Sequence, residues 1–524
     1  MNALAARPAR APRASSPAAT EAAPPAGHTW PAEAAIAALA AAAIGVYTFR
    51  GSLGYGFSQD DFSGLARATG HAGRLPFGWR WLSHQLFWDA VAGPLGRSAT
   101  AAHAVVLAFH AATAALLAWL LARRLPAPAA LLGAAFVASH PASFTALYWA
   151  AANGDVLAAF FALASLGLGL GRRARWLALP CYSLALLAKE SALPLPAAWL
   201  AIALFWPRPA GEPGPAPPKP WRDPVWLACS LFGVAFAAYA WLVARGTAVG
   251  GEVYGTSLAA VGGNVLTYDG WVANRWLGTV QSVMDHVDPR VFGWGVALNV
   301  AWLAGALVPA LRRAGWIAAG VAWTVLLAPV LPLTTHTYHY YMVIALPAAG
   351  LMLAAIGAVA LPQGPRAAAW AAAGILAALI AWDGHALVQK IEHAPFQEEG
   401  SRSDPTLDGA LIASHALGDL AAAALPPHTR LVLWSPQSQA IQAREGGSPE
   451  KEGYYESNVR AALLDGLALR VMLPAIDSVR FARTFDAAAT SDQGTWWAVY
   501  RFDGHLKAMH ADELARVLAQ HGAQ

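Results

Sequence analysis

Ionisable side chains occur at four points of this 524-residue chain where an apolar stretch begins or ends. A carboxylate at such a point can act as a general base, and a Lys or His side chain can bind an anion. Ionisable residues at the edge of an apolar helix bundle are functional candidates by default. The candidates are Asp60 and Asp61 in GFSQDDFSGL, Asp155 after ALYWAAANG, Lys189 and Glu190 in LLAKESAL, and His336 and His339 in LTTHTYHYYM.

Each candidate also has a purely structural interpretation. Adjacent aspartates in a loop are usually solvated, and Asp155 could cap the helix that follows it, as Asn153 could. Lys189 and Glu190 could pair with each other at a turn, and the two histidines could be hydrogen-bonded interface residues. A shared functional role is favoured because the topology described next brings all four segments to one membrane face.

The composition indicates a membrane protein. Hydrophobic residues make up 57% of the chain and charged residues only 13%, against about 25% charged residues in a soluble domain. The apolar residues form blocks long enough to cross a bilayer, which takes about 20 residues per helix. The net charge of +4, without a basic cluster interleaved with aromatic residues, argues against nucleic-acid binding. We therefore predict an integral, multi-pass protein of the bacterial inner or plasma membrane that contacts membrane lipid.

About eleven transmembrane helices are predicted from these blocks. Lys189 and Glu190 interrupt the apolar stretch 176–206, and we place them in a turn at the membrane surface because a charge pair is costly in mid-bilayer. Arg residues recur in every second connector, which puts the N-terminus inside and the four candidate segments outside. The predicted spans lie near 32–49, 101–121, 128–147, 155–171, 176–189, 190–206, 224–244, 291–311, 315–332, 341–361 and 366–385.

Three regions of different composition indicate the domain organisation. Residues 1–30 are rich in Ala, Pro and Arg and are predicted to be a disordered cytoplasmic tail. Residues 31–385 form the all-α transmembrane domain, in which the aromatic-rich segment 77–96 is expected to lie in the membrane interface. Residues 386–524 carry more charges and are predicted to be a small extracytoplasmic α/β domain. Its predicted strands are RLVLWS (430–435), RVMLPA (470–475) and TWWAVYRF (495–502), with a helix at 456–467.

The order of several motifs resembles a known family. A His-Pro pair, a small residue before Asp, and Lys-Glu before a small residue follow one another in HPASFTALYWAAANGDVLAAFFALASLG (140–167) and YSLALLAKESALPLPAAWL (182–200). With the acidic pair upstream, this order resembles the GT-C superfamily of polytopic glycosyltransferases, and most closely its protein O-mannosyltransferases and tetratricopeptide-linked transmembrane transferases. The segment HYYMVIALPAAG (339–350) is similar to a late Arg-Tyr-rich stretch of the family, with His339 where the family has Arg.

The resemblance, which covers roughly residues 32–361, implies a GT-C-like fold and a reaction. A sugar would pass from a polyprenyl-phosphate carrier to a glycan, lipid or protein acceptor outside the cytoplasm. Asp60 or Asp61 would be the catalytic base, and Asp155 would support it or bind the acceptor. The departing lipid phosphate needs cations or hydrogen-bond donors. The implied substrate-binding residues are Lys189, Glu190, His336, His339 and His140.

Other functions and a cofactor are left open. No nucleotide-sugar motif is needed, because the donor is lipid-borne. No cofactor is assigned; a divalent metal ion held by the aspartates is left open, although no ligand spacing demands one. A transporter or flippase of lipid-linked sugars would show duplicated halves with broken spans, and no duplication is evident. A scaffold protein would not need so many spans. We rank these functions as transferase, transporter and scaffold.

Overall fold

The computed structural model describes residues 31–171, 174–206, 220–246, 255–276, 289–334, 337–393, 405–436, 454–482, 484–485 and 494–521. The predicted tail 1–30 and most of the proline-rich connector 207–222 lie outside the described residues. The described part is mainly helical up to residue 393. Its helices there are α1 (Pro31–Phe49), α2 (Asp60–Ala68), α3 (Phe87–Ala92), α4 (Ala99–Ala122), α5 (Ala127–Ala138), α6 (Phe144–Tyr148), α7 (Asn153–Gly169), α8 (Ala178–Ala188), α9 (Leu195–Phe205), α10 (Pro224–Gly246), α11 (Ala260–Ala273), α12 (Pro289–Leu307), α13 (Pro309–Arg313), α14 (Trp316–Leu327), α15 (Leu346–Ala360) and α16 (Arg366–Glu392).

In the described chain, long apolar helices coincide with six of the eleven predicted spans. Among the described residues, six helical stretches are long and apolar enough to cross a membrane, and they contain α1, α4, α7, α10, α12 and α16. A further pair, Ala127–Ala138 and Pro141–Tyr148, passes the same test together but is bent by 44°. The remaining predicted spans coincide with shorter apolar helices, which are Arg175–Ala188, Glu190–Phe205, Trp316–Leu327 and Leu346–Ala360. The count of eleven spans stays a prediction.

Contacts of the first and last residues of α16 distinguish the two ends of the helix bundle. At one end, Arg366 at the start of α16 lies 3.7 Å from Glu33 near the start of α1. At the other end, Tyr148 donates a hydrogen bond to Glu392 at the end of α16. The loops that contain the candidate residues meet at this second end, which we call the loop end. The domain that follows α16 is attached there too.

The C-terminal domain is a small α/β unit. Its described elements are α17 (Pro405–Ala422), β1 (Thr429–Trp434), α18 (Tyr454–Ala462), α19 (Leu467–Met472), β2 (Ile476–Phe481), β3 (Thr495–Tyr500), β4 (Leu506–Met509) and α20 (Ala511–His521). The four-stranded sheet has the order β2-β1-β3-β4, in which β1 pairs in parallel with β2 and β3, and β3 pairs antiparallel with β4. The strands predicted at 430–435 and 495–502 are confirmed.

The strand predicted at 470–475 is wrong, because Arg470–Met472 ends helix α19 and the strand begins only at Ile476. A short apolar run does not distinguish a strand from a buried helix turn by its pattern alone. In the structure Gly466 adopts φ +86° and reverses the chain just before Leu467. This turn sends the apolar run into a second short helix after α18.

Candidate active site

A cavity of about 180 Å³ lies at the loop end of the bundle. It combines carboxylates, cations and aromatic rings from five separate segments of the chain. Of the eight residues predicted from the sequence to form a site, Asp60, Asp155 and Lys189 line this cavity. Two more, Asp61 and Glu190, accept hydrogen bonds from residues of its wall. The lining residues with functional side chains are Asp60, Ser63, Arg67, Arg80, His84, Trp88, Trp149, Asp155, Lys189, Tyr340 and Tyr341.

Helix α2 presents one polar face to this cavity. Asp60, Ser63 and Arg67 are spaced three and four residues apart, so they lie along one side of the helix. Arg67 donates a hydrogen bond to Ser63 Oγ (2.7 Å) and another to the carbonyl oxygen of His84 (3.3 Å). The guanidinium is therefore held in place by neutral acceptors. Burial lowers the pKa of Arg67, and the nearby Asp60 carboxylate raises it.

The two adjacent aspartates have different surroundings. Asp61 is 1% exposed and does not line the cavity. Its two carboxyl oxygens accept hydrogen bonds from the backbone N–H groups of Ser58 (2.9 Å) and Ala151 (2.6 Å). Burial raises the pKa of Asp61 to about 8, against the lowering effect of these two N–H donors. Asp61 thus links the segment before α2 to the segment before α7 through these two hydrogen bonds.

Asp60 faces the cavity itself. Burial raises the pKa of Asp60 above its usual value of 3.8, and the positive charge of Arg67 partly offsets that rise. A carboxylate of raised pKa is a better proton acceptor for a hydroxyl group than a fully solvated one. Of the acidic pair, Asp60 has the position and the environment of a general base.

Lys189 and Glu190 do not pair with each other. Lys189 donates a hydrogen bond to Asp155 Oδ2 over 2.5 Å, and its ammonium lies 4.7 Å from the ring centroid of Tyr341. Glu190 instead accepts from Arg80 and, at 2.8 Å, from Trp79 Nε1. The turn after α8 therefore joins two different segments of the loop end. The capping interpretation of Asp155 also fails, since the first turn of α7 has no side-chain cap.

The segment 77–96 contributes a second polar face. Arg80, His84 and Trp88 are spaced four residues apart around the helical turn Leu82–Leu86, and all three line the cavity. Burial, followed by the charges of Arg80 and Arg67, lowers the pKa of His84 to about 3, so His84 is neutral at physiological pH. Trp88 is buried against α2, where a Cβ atom on Gly64 would lie 2.3 Å from the indole ring.

The remaining candidates are placed differently. His339 is buried and its Nε2 atom lies 3.4 Å from Thr145 Oγ1, outside the cavity lining. It begins the short turn His339–Met342 that presents Tyr340 and Tyr341 to the cavity. His140 is also buried and accepts a hydrogen bond from the backbone N–H of Ala142. His336 lies outside the described residues.

A metal site is not evident among the described residues, since none of their His, Cys, Asp and Glu side chains form a group of three or more that could hold an ion. Asp60 and Asp155 are the described carboxylates that line the cavity. A Ca²⁺ ion usually takes about six to eight oxygen ligands, whereas Mg²⁺ is often held by one or two carboxylates together with substrate phosphates and water.

The motif-based prediction missed three basic residues of the lining, which are Arg67, Arg80 and His84. Helical spacing could have found Arg67, because counting three and seven residues from Asp60 gives Ser63 and Arg67 on one face. The same spacing within 77–96 links Arg80, His84 and Trp88. That the two faces oppose each other depends on tertiary packing, which no local pattern contains.

Comparisons with known proteins give a limited result. A scan against protein-family models found no match, and a search of curated proteins found none either. Among solved structures, the chain is similar to the archaeal oligosaccharyltransferase AglB from Archaeoglobus fulgidus, determined in complex with an inhibitory peptide and a dolichol-phosphate. The TM-score is 0.40 and the identity 13%, over 85% of this chain and 69% of that chain. At this level of similarity no residue role is transferred from that enzyme.

Proposed function

We propose that this protein is a glycosyltransferase that moves a sugar from a polyprenyl-phosphate carrier to an acceptor at the extracytoplasmic face of the membrane. The observation that carries the proposal is that Asp60 and Arg67 lie on one face of α2 and line the same cavity at the end of an apolar helix bundle. A lipid-linked donor needs this arrangement, because its reactive carbon and phosphate lie at the membrane surface while its chain stays in the bilayer. The resemblance of the motifs to the GT-C superfamily points the same way.

Asp60 is proposed as the general base. The acceptor hydroxyl would attack the anomeric carbon and transfer its proton to the Asp60 carboxylate as the bond to the phosphate oxygen breaks. The transition state of glycosyl transfer is oxocarbenium-like, so the negative charges of Asp60 and Asp155 in the cavity would stabilise it. Asp61 accepts hydrogen bonds from the backbone of Ser58 and Ala151. These bonds help to fix the position of Asp60 at the start of α2.

Arg67 is proposed as the main contact of the departing lipid phosphate. Two other cations line the cavity, but Lys189 is paired with Asp155 and Arg80 with Glu190. Arg67 has hydrogen bonds to a hydroxyl and a carbonyl, and no described carboxylate forms an ion pair with it. Guanidinium groups bind phosphate through two parallel hydrogen bonds. Lys189 would be the second cation near the phosphate, beside Tyr340 and Tyr341.

A transporter of lipid-linked sugars is the competing function. Substrate sites of such transporters lie near the bilayer midplane, between repeated halves. The polar cavity described above lies at the loop end of the helices, which favours a reaction at the surface over passage across the bilayer.

The direct test is sugar release by the purified protein. Detergent-solubilised protein is mixed with radiolabelled polyprenyl-phosphate sugars and candidate acceptors, and transferred label is counted. We expect turnover by the wild type, none by Asp60→Asn, and normal turnover by Asp89→Asn. Asp89 is a suitable control because it bonds to Arg74 and Gln85 outside the cavity lining. Transport of intact donor into vesicles without sugar release would contradict the proposal.

A further inference from the structure

A second cavity, of about 590 Å³, lies among α4, α7, α9, α14 and α15. This cavity, which we call the groove, shares no lining residue with the polar cavity. Apart from two arginines, its wall is formed by Leu, Ile, Ala, Gly, Pro and Trp residues. The charged residues that line it are Arg123 and Arg124, which directly follow α4. Among the described residues, no acidic residue lines this cavity. The mouth of the cavity, which we define by Arg123 and Arg124, is therefore positively charged, and the rest of the lining is apolar.

The mouth has the chemistry of a membrane interface. Arg124 donates a hydrogen bond to the carbonyl oxygen of Trp206 (2.8 Å), and its guanidinium lies 4.7 Å from the centroid of that indole ring. Trp206 in turn donates to the backbone carbonyl of Arg313 (3.2 Å). Arg123 is exposed. Tryptophan and arginine at helix ends mark the headgroup level of a bilayer. On that basis the two guanidiniums would lie at headgroup depth, and the apolar part of the cavity, between the helices, would lie deeper in the membrane.

We infer that this groove binds an anionic phospholipid, with an acyl chain between the helices and the phosphate on Arg123 and Arg124. An apolar space that opens toward a bilayer is best filled by a hydrocarbon chain, since water there would find no polar partners. Basic pockets between transmembrane helices on the cytoplasmic side bind anionic headgroups. Arg123 and Arg124 belong to a connector that the arginine bias places on that side. The inference does not depend on the proposed transferase activity.

The test compares lipids that differ only in headgroup charge. Delipidated protein in detergent is titrated with phosphatidylglycerol or phosphatidylcholine of identical acyl chains, and bound lipid is counted by native mass spectrometry. Arg123→Gln removes an exposed guanidinium and should leave the fold intact. Arg366→Gln is the matched control, because Arg366 is exposed at the same end of the bundle and is absent from the cavity lining. Ala348→Phe fills the groove, where Ala348 is buried.

We expect phosphatidylglycerol to bind at least about tenfold more tightly than phosphatidylcholine. Arg123→Gln should remove most of that preference, Ala348→Phe should reduce binding of both lipids, and Arg366→Gln should change neither. Equal binding of the two lipids by the wild type would overturn the inference. So would displacement of both lipids by a polyprenyl phosphate whose binding is insensitive to Arg123→Gln, since the groove would then hold the carrier chain.

Discussion

Lys189 donates a hydrogen bond to Asp155 over 2.5 Å, whereas its neighbour Glu190 bonds to Arg80 and Trp79. Two adjacent residues of opposite charge therefore bind two different segments. Asp155 is 1% exposed and the Lys189 side chain 12%, so this ion pair is largely removed from water. The turn after α8 consequently fixes the positions of the start of α7 and of the segment 77–88 around the cavity.

Removing one member of this pair should cost more than removing both. Loss of one partner leaves an uncompensated buried charge, which typically costs about 3–5 kcal/mol, while a neutral replacement of both partners costs much less. We expect Lys189→Met to lower the melting temperature in detergent strongly, and Lys189→Met/Asp155→Asn to recover most of the loss. If the loss of melting temperature in the double variant equals the sum of the losses in the two single variants, the ion pair contributes little.

Donor affinity should depend on Arg67 more than on the other cavity cations, because a charged hydrogen bond typically contributes about 1.5–3 kcal/mol. We expect Arg67→Gln to raise the KM for the polyprenyl-phosphate donor about 10- to 100-fold. Arg74→Gln should leave it unchanged, because the side chain of Arg74 is 61% exposed and paired with Asp89. A normal donor KM in a well-folded Arg67→Gln protein would show that a cation other than Arg67 binds the phosphate.

The membrane orientation is testable with reporters. The arginine bias predicts a cytoplasmic connector at 207–222 and an extracytoplasmic domain after residue 386. Fusions at residues 215 and 400 should therefore report opposite sides. Reporters on the same side would contradict the odd number of spans, five, that is predicted between the two fusion points.

The C-terminal domain should influence turnover through the loop that precedes Asp60. Gln59, at φ +49°, donates its backbone N–H to the carbonyl oxygen of Ala462 (3.1 Å). A Cβ atom on Gly409 of α17 would lie 3.1 Å from the Gln59 side chain, whereas one on Gly418 would meet nothing within 4 Å. We expect Gly409→Leu to lower kcat by displacing this loop, with little change in donor KM.

Gly418→Leu is the matched control for this prediction, because it makes the same substitution on the same helix at a position where a Cβ atom meets nothing within 4 Å. Equal loss of turnover in both variants would indicate a general effect on α17 and would remove the assigned role of the Gln59 contact.

The sequence predicted the helices well and the site only in part. Within the described residues, every predicted span coincides with an apolar helix or a bent pair of helices, six of them long enough to cross a bilayer, because apolar segments are visible locally in the sequence. The loops that carry Asp60, Asp155 and Lys189 do meet in one cavity. Which partner each charge takes was not predictable, since Lys189 bonds to a residue 34 positions earlier and Glu190 to one 110 positions earlier. Such pairings are set by helix packing.

The two adjacent aspartates should respond differently to the same substitution. Asp60→Asn removes the proposed base, which typically costs 10²- to 10⁴-fold in rate, and we expect an unchanged protein level in the membrane. Asp61→Asn places an NH₂ group opposite a backbone N–H, because each carboxyl oxygen of Asp61 accepts from a separate donor. We therefore expect Asp61→Asn to lower the melting temperature and the yield. Wild-type turnover by Asp60→Asn would end its assignment as the base.

The pH dependence of kcat separates a base from a residue that only shapes the cavity. Burial raises the pKa of Asp60 above 3.8, and Arg67 lowers it. The base must be deprotonated, so kcat should fall as the pH drops through that pKa. Arg67→Gln removes the lowering charge, and we expect the acidic limb of the profile to move to higher pH. The pH profile of Asp60→Asn is measured from its residual turnover. If the acidic limb is still present in this variant, the proton is accepted by a group other than Asp60.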